Sequence, residues 1–173
     1  EVCSSVEWAD EVLAEPIVAQ PVFLTFDERG RMWVVQYRQY PHPAGLKMVS
    51  RDNFWRAVYD KVPPPPPNHF KGADKITIHE DTDGDGRMDK RTVFAKDLVM
   101  PRAMSLIGDG VLIGEPPHLW FMRDTNGDGV ADTKTDIAKD YANTTNPEHN
   151  ANGLVWMLDN WIYSANFTAR FRF

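Results

Sequence analysis

Short apolar segments separated by polar turns recur along the chain and predict β-hairpins. Residues 22–35, 104–113 and 154–163 each contain an apolar strand, a polar turn and a second strand rich in β-branched residues, Trp or Tyr. The predicted turns are centred on residues that tolerate a positive φ: Gly30, Gly110 and Asn160. This alternation over short segments is typical of strands packed on a core.

A second kind of hairpin repeats within the sequence. Residues 75–89 align without gaps on residues 118–132, at an offset of 43 residues, and the match resumes between 94–97 and 137–140. Each copy is a predicted strand, a tight acidic turn and another strand. The two kinds of hairpin alternate along the chain, which gives four strands in each repeating unit.

Four strands in a unit of about 43 to 50 residues match the period of a β-propeller blade. The sequence therefore predicts an all-β fold with about three four-stranded blades. Because a closed propeller needs about four to eight blades, we expect residues 1–173 to be the N-terminal part of one larger propeller domain.

A proline-rich insertion at residues 40–71 is predicted to interrupt the first unit. The proline run 63–67 favours extended polyproline II structure, and we expect it to act as a rigid spacer between strands. The one predicted helix lies in this insertion, at residues 51–59, where apolar residues have helical spacing.

Composition and charge exclude several partners. The 173 residues include 19 Lys and Arg against 25 Asp and Glu, a net charge of −6, and no basic run exceeds two residues. This balance gives no electrostatic footprint for a nucleic-acid backbone or for an anionic membrane, and it predicts neither as a partner. No apolar run approaches the length of a transmembrane segment, and the lone Cys3 excludes a disulfide or a CxxCH haem attachment within these residues. The first residues lack the pattern of a signal peptide, and we expect a processed N-terminus.

The two acidic turns predict Ca²⁺ sites of the DxDxDGxxD type. Alternate residues converge as such a loop curls, Gly at position 6 permits the sharp turn, and oxygen ligands suit calcium. The first loop offers the side chains of Asp81, Asp83, Asp85 and Asp89 and the carbonyl of Arg87. The second offers the side chains of Asp124, Asn126, Asp128 and Asp132 and the carbonyl of Val130.

An EF-hand is the first alternative for these loops, and a solvated acidic turn without metal is the second. The EF-hand interpretation is disfavoured because position 12 is Thr92 or Thr135 rather than Glu, and because the flanking segments are predicted strands. The loops are similar to the calcium-binding hairpins of integrin-type propellers. We expect the metal to be structural.

His149 is the candidate catalytic residue. It lies in a polar loop, residues 146–153, that leads into an apolar hairpin, and such loops open onto the end of a propeller where active sites form. The alternative is a hydrogen-bonded histidine that fixes the turn. The spacing of His149, Gly153, Leu154, Asp159, Ile162 and Tyr163 resembles the catalytic-histidine segment of soluble quinoprotein sugar dehydrogenases, which use pyrroloquinoline quinone (PQQ) and calcium. Their usual Gly-Arg pair is replaced here by Asn152 and Gly153.

A broader resemblance covers most of the chain. Residues 40–46, 59–63, 72–78, the first acidic loop and 152–163 resemble bacterial membrane-bound dehydrogenase proteins. These begin with such a propeller and continue into helical repeats and a c-type haem domain of the Planctomycetes–Verrucomicrobia–Chlamydiae (PVC) type. The resemblance implies a PQQ-dependent sugar or polyol dehydrogenase that passes electrons to a c-type haem or cytochrome outside these residues, with His149 as the general base.

A second function class remains open. A calcium-binding propeller without catalysis would serve as a structural module or bind carbohydrate or protein. Retained PQQ would favour the enzyme, whereas ligand binding without dye reduction would favour the module. For either, calcium loops of this kind and the implied cofactors favour the periplasm or the cell surface.

Overall fold

The computed structural model describes residues 11–38, 47–59, 72–142, 151–165 and 170–172. Within these ranges the chain forms β-strands and no helix, which confirms the all-β prediction. None of the described residues belongs to a helix able to cross a membrane. The strands are β1 (Pro21–Phe26), β2 (Met32–Gln36), β3 (Met48–Arg51), β4 (Ala57–Tyr59), β5 (Asp74–Glu80), β6 (Lys90–Leu98), β7 (Ala103–Ile107), β8 (Gly110–Glu115), β9 (His118–Arg123), β10 (Thr133–Ala138), β11 (Asn152–Trp156), β12 (Ile162–Ala165) and β13 (Arg170–Phe171).

The strands form three antiparallel sheets and a separate hairpin. Sheet 1 has the order β1-β2-β5-β6, sheet 2 the order β7-β8-β9-β10 and sheet 3 the order β11-β12-β13. The β3–β4 hairpin lies between β2 and β5 in the chain. As the sequence predicts, apolar hairpins form the first two strands of each sheet, and the acidic turns join the third strand to the fourth in sheets 1 and 2.

The core lies between stacked sheets, with sheet 2 in the middle. Successive side chains of a strand point to opposite faces. On β8, Val111 and Ile113 therefore join a buried cluster with Trp33 and Ile76 of sheet 1, whereas Leu112 joins a second cluster with side chains of sheet 3. The first strand of sheet 2, β7, lies next to the first strands of the other two sheets, β1 and β11.

A chain of buried hydrogen bonds lies on the face of sheet 1 that points away from sheet 2. Gln36 Nε2 donates to Thr77 Oγ1 at 2.8 Å, and Thr77 Oγ1 lies 2.8 Å from His79 Nε2. All three residues are fully buried. Burial, helped by the positive charges of Arg91 and Lys75, lowers the pKa of His79 below its ordinary value, so the imidazole is neutral at neutral pH.

Three hairpins close with the same five-residue turn, at residues 27–31, 52–56 and 157–161. In each turn the first residue donates its N–H to the carbonyl of the fifth and accepts from the N–H of the fourth. The fourth residue has a positive φ: Gly30 (76°), Trp55 (63°) and Asn160 (61°). Gly and Asn adopt this conformation readily, whereas it costs a residue such as Trp about 1–2 kcal/mol. The turn at Trp55 is therefore strained.

The helix predicted at residues 51–59 is wrong, because this segment closes the β3–β4 hairpin. The Asp52 carboxylate accepts the N–H groups of Phe54 at 2.8 Å and of Arg56 at 3.0 Å, which fixes a tight turn instead of a helical one. Val58 then pairs across the hairpin with Ser50. Residues 40–46 and 60–71 of the predicted insertion, including the proline run 63–67, lie outside the described residues.

The turn predicted at Gly110 lies two residues earlier. Ile107 pairs with Gly110, so Gly108 and Asp109 form the turn between β7 and β8, and Gly108 has a φ of 54°. Gly110 is the first residue of β8, where a Cβ atom would overlap the ring of Phe121 on β9. Glycine is required there by a close approach rather than by a turn.

Candidate metal centre

The first acidic loop, residues 81–89, joins β5 to β6 and is organised around Asp81. Asp81 Oδ1 accepts the N–H of Gly84 at 2.7 Å, and its Oδ2 accepts the N–H of Gly86 at 2.9 Å. Both glycines have positive φ, 79° and 89°, which turns their N–H groups towards this carboxylate. The loop closes where Asp89 donates its N–H to the Glu80 carbonyl at 3.0 Å.

Three carboxylates of this loop converge. Oxygen atoms of Asp81, Asp83 and Asp89 lie within 4.8 Å of one another, the sole such group of three or more acidic, His or Cys side chains among the described residues. Thr82 holds Asp89 in place by donating its N–H at 3.3 Å and its hydroxyl at 2.8 Å. Asp85 lies outside the group and accepts the N–H of Arg87 at 2.8 Å. A cluster of carboxylate oxygens in this loop fits Ca²⁺.

The second acidic loop, residues 124–132, joins β9 to β10 and repeats these hydrogen bonds 43 residues later. Asp124 accepts the N–H groups of Gly127 and Gly129, both at 2.7 Å. Asp132 Oδ2 accepts the hydroxyl of Thr125 at 2.8 Å, as Asp89 does from Thr82. Asn126 takes the place of Asp83, so the second loop carries one charge fewer. The two loops therefore share the same hydrogen bonds from glycine N–H groups to their first aspartate.

Each loop is also hydrogen-bonded to the segment that precedes its sheet. Met88 donates its N–H to the Val12 carbonyl at 3.2 Å, and the corresponding Ala131 donates to the Phe94 carbonyl of β6 at 2.8 Å. A Cβ atom on Gly129 would approach the Thr92 methyl group to 2.9 Å, because the second loop packs closely on sheet 1. A metal in this loop would therefore stabilise the junction between sheets 1 and 2.

Electrostatics keeps the leading aspartate of each loop ionised. The N–H groups of Gly86 and Gly84 lower the pKa of Asp81 below its ordinary value. Desolvation raises the pKa of Asp124, but the N–H groups of Gly129 and Gly127 outweigh it and the net shift is also downward. Both carboxylates are anionic at neutral pH, the state in which they bind a cation.

A cleft opens beside the second loop, between sheets 1 and 2. Its volume is about 520 Å³. Its lining combines charged side chains of both signs with apolar ones, including Asp27, Asp109, Asp124, Arg31, Trp33 and Phe94. The sequence did not predict this cleft, because residues from several separate strands and turns form it.

The structure places only some of the predicted site residues together. In the first loop Asp81, Asp83 and Asp89 converge and Asp85 lies apart. In the second loop Asp124 accepts backbone N–H groups as Asp81 does in the first. His149 lies outside the described residues. Thr82 and Thr125 donate hydrogen bonds to the aspartate at position 9 of their loops. They were not predicted as site residues, although a threonine at position 2 of both loops was an available signal.

Comparison with known proteins gives a family but no activity. The profile of a family described as a domain of unknown function, DUF7133, matches residues 7–170. No curated protein and no solved structure matches the chain.

Proposed function

The chain belongs to the DUF7133 family, and we propose that it forms blades of a calcium-stabilised β-propeller. The observation that carries this proposal is the equivalent position of the two acidic loops. Each joins the third strand of a sheet to the fourth, and each holds its first aspartate with the N–H groups of two glycines. A bound cation would offset the repulsion between the carboxylates and stabilise that end of each sheet.

The contacts between neighbouring sheets support the propeller arrangement. Stacked four-stranded sheets with adjacent first strands are the arrangement of propeller blades. Residues 11–20 also contact sheet 1 as the β6–β7 connection contacts sheet 2. Gln36 accepts the N–H of Ala19 at 3.1 Å, and Glu115, at the corresponding position of β8, accepts the N–H of Val99 at 2.6 Å. Residues 11–20 therefore contact sheet 1 in the way that a connection between blades contacts sheet 2.

Calcium binding is tested by calorimetric titration and by thermal unfolding with calcium or with a chelator. Two sites are expected. At a free calcium concentration about ten times the Kd of a site, binding at that site should add about 1.4 kcal/mol to the free energy of unfolding. Asp81→Asn and Asp124→Asn should each abolish one site, whereas Asp140→Asn, a change at an exposed aspartate outside the loops, should abolish neither. An unchanged melting temperature together with no heat of binding would refute the proposal.

For the activity of this scaffold we propose oxidation of a sugar or polyol with PQQ, followed by electron transfer to a c-type haem outside residues 1–173. The support is the resemblance of the segment that begins at His149, a residue outside the described ranges. PQQ, when bound, supplies the two-electron acceptor.

The activity is tested on protein purified from its native source. With PQQ and calcium added, sugar-dependent dye reduction is expected, and His149→Ala should abolish it while His118→Ala retains it. Calcium binding without dye reduction, together with binding of a carbohydrate or a protein, would instead assign a non-catalytic module. In either case a periplasmic or cell-surface location is favoured, because calcium loops of this kind fill where free calcium is millimolar.

A further inference from the structure

The β3–β4 hairpin presents two aromatic side chains to solvent. Phe54 and Trp55 in its turn are 79% and 78% exposed, and all four residues of β3 are exposed. Met48, Val49 and Val58 add further exposed apolar surface along the hairpin. Single exposed hydrophobic residues are ordinary, but several exposed apolar residues on one hairpin, two of them aromatic, point to a surface that contacts something else.

The conformation of Trp55 is the second observation. Its φ of 63° places a bulky residue where the two equivalent turns carry Gly30 and Asn160. Folding alone favours the smaller residues at this position. Strain of this kind, in a side chain that is not packed in the core, points to a role in binding.

The charge of the hairpin is opposite to that of the chain. Residues 47–59 contain Lys47, Arg51 and Arg56 against Asp52, three cations and one anion, whereas the whole chain has a net charge of −6. Arg51 donates to the Trp55 carbonyl at 2.8 Å, and the Arg56 guanidinium lies 5.2 Å from the centroid of the Phe54 ring. Both arginines are thus held beside the aromatic pair.

We propose that Phe54 and Trp55, here called the aromatic tip, insert into the interfacial layer of an anionic lipid bilayer while Arg51 contacts the lipid phosphates. Arg56 is paired with the Asp52 carboxylate at 2.6 Å and adds little net charge. Aromatic rings favour the headgroup region, and basic side chains near a membrane surface are attracted by anionic lipid. The tip is a projecting hairpin rather than a concave pocket, so it fits a deformable surface better than a saccharide. The acidic balance of the whole chain does not oppose this, because only the hairpin approaches the membrane.

The experiment is sedimentation of the chain with phosphatidylcholine vesicles containing about 30% phosphatidylglycerol, at fixed free calcium. Binding is expected to weaken at least about tenfold on pure phosphatidylcholine, and also at high salt, which screens Arg51. Arg51→Gln should weaken binding about fivefold. Equal binding to neutral and anionic vesicles would overturn the proposal.

Trp55→Asn is the decisive variant because Asn occupies the equivalent position, 160, in another turn of the same type. It should leave the melting temperature unchanged or higher and weaken vesicle binding at least about tenfold. The matched control is Leu158→Asn, since Leu158 is a fully exposed apolar residue in the turn that contains Asn160. Equal losses in both variants, or no loss for Trp55→Asn, would overturn the proposal. So would binding to a polysaccharide, but not to vesicles, that depends on Trp55.

Discussion

Replacing Asp27 with alanine should destabilise the protein far more than the same change at Asp52, although both residues close the same kind of turn. Asp27 Oδ1 accepts the N–H groups of Arg29 and Arg31, and its Oδ2 accepts Arg31 Nε at 2.7 Å and Trp33 Nε1 at 3.0 Å. Asp52 makes the equivalent bonds within its own turn but has no indole donor. Its side chain is 28% exposed, against 13% for Asp27.

The expected loss of stability has two parts, one from the indole N–H of Trp33 and one from the hydrogen bonds to the charged carboxylate. Trp33 is 5% exposed, so removal of Asp27 leaves its N–H buried without an acceptor, at a cost of about 1–3 kcal/mol. The lost hydrogen bonds to a charged acceptor add about 1.5–3 kcal/mol. We therefore expect Asp27→Ala to lower the free energy of unfolding by about 2.5–6 kcal/mol. Asp52→Ala removes an ion pair whose Arg56 partner is exposed to solvent, and such pairs contribute little, so its effect on stability should be much smaller.

The effect of Asp27 should also depend on pH. Desolvation raises the pKa of its carboxyl group, but hydrogen bonds from Trp33 and Arg31 outweigh it, and the pKa in the folded state lies below the ordinary value. A lowered carboxyl pKa gives stability that is present above the unfolded value of about 3.9 and is lost as the pH falls through the folded value. The difference between the native chain and Asp27→Ala should therefore shrink below about pH 4.

The assay is urea unfolding followed by circular dichroism, applied to both alanine variants, Trp33→Phe and the double variant Asp27→Ala/Trp33→Phe. Trp33→Phe removes the donor and keeps most of the ring, so the cycle should give a coupling energy of about 1 kcal/mol or more. Equal losses for Asp27→Ala and Asp52→Ala, or a coupling energy near zero, would refute the role assigned to the buried carboxylate–indole bond.

Two further predictions concern sheet 1. The free energy of unfolding should fall as the pH drops below about 6.5, because His79 takes up a proton in the unfolded chain but not when it is buried with a lowered pKa. His79→Met introduces the residue found at the equivalent position 122. It should reduce this dependence of the unfolding free energy on pH, measured by urea unfolding at several pH values. Gly72→Ala should lower the melting temperature more than Gly30→Ala, because a Cβ atom at position 72 would overlap the Leu98 carbonyl, whereas position 30 has open space and only a positive φ, worth about 1 kcal/mol. A pH slope unchanged in His79→Met, or a smaller effect at Gly72 than at Gly30, would contradict these arguments.

The strand order was predictable because its signals are local. Alternating apolar residues and turn residues such as Gly30 and Asn160 lie within a few positions of the strands that they define. The β3–β4 hairpin was missed because the apolar residues of 51–59 also have helical spacing, and the deciding contact is made by the side chain of Asp52 with its own backbone. In this segment local polar chemistry overrides the apolar pattern.

The candidate metal site was predictable in composition and less so in geometry. The repeated spacing identified Asp81, Asp83 and Asp89, which do converge. It could not show that the Asp85 carboxylate accepts a backbone N–H beside the cluster, since position in a loop does not fix a side-chain rotamer. The bond from Met88 to the Val12 carbonyl joins residues far apart in sequence and has no local signal.

The contact between residues 11–20 and sheet 1 has a consequence for synthesis on the ribosome. Val12 is translated long before Met88, its hydrogen-bond partner, so the N-terminal segment must wait for most of sheet 1 to emerge. Sheet 2, in contrast, consists of four consecutive strands and can form as soon as residue 138 leaves the exit tunnel. Its face is then available as a template for sheet 3, and we expect the sheets to assemble one after another from the N-terminus towards the C-terminus.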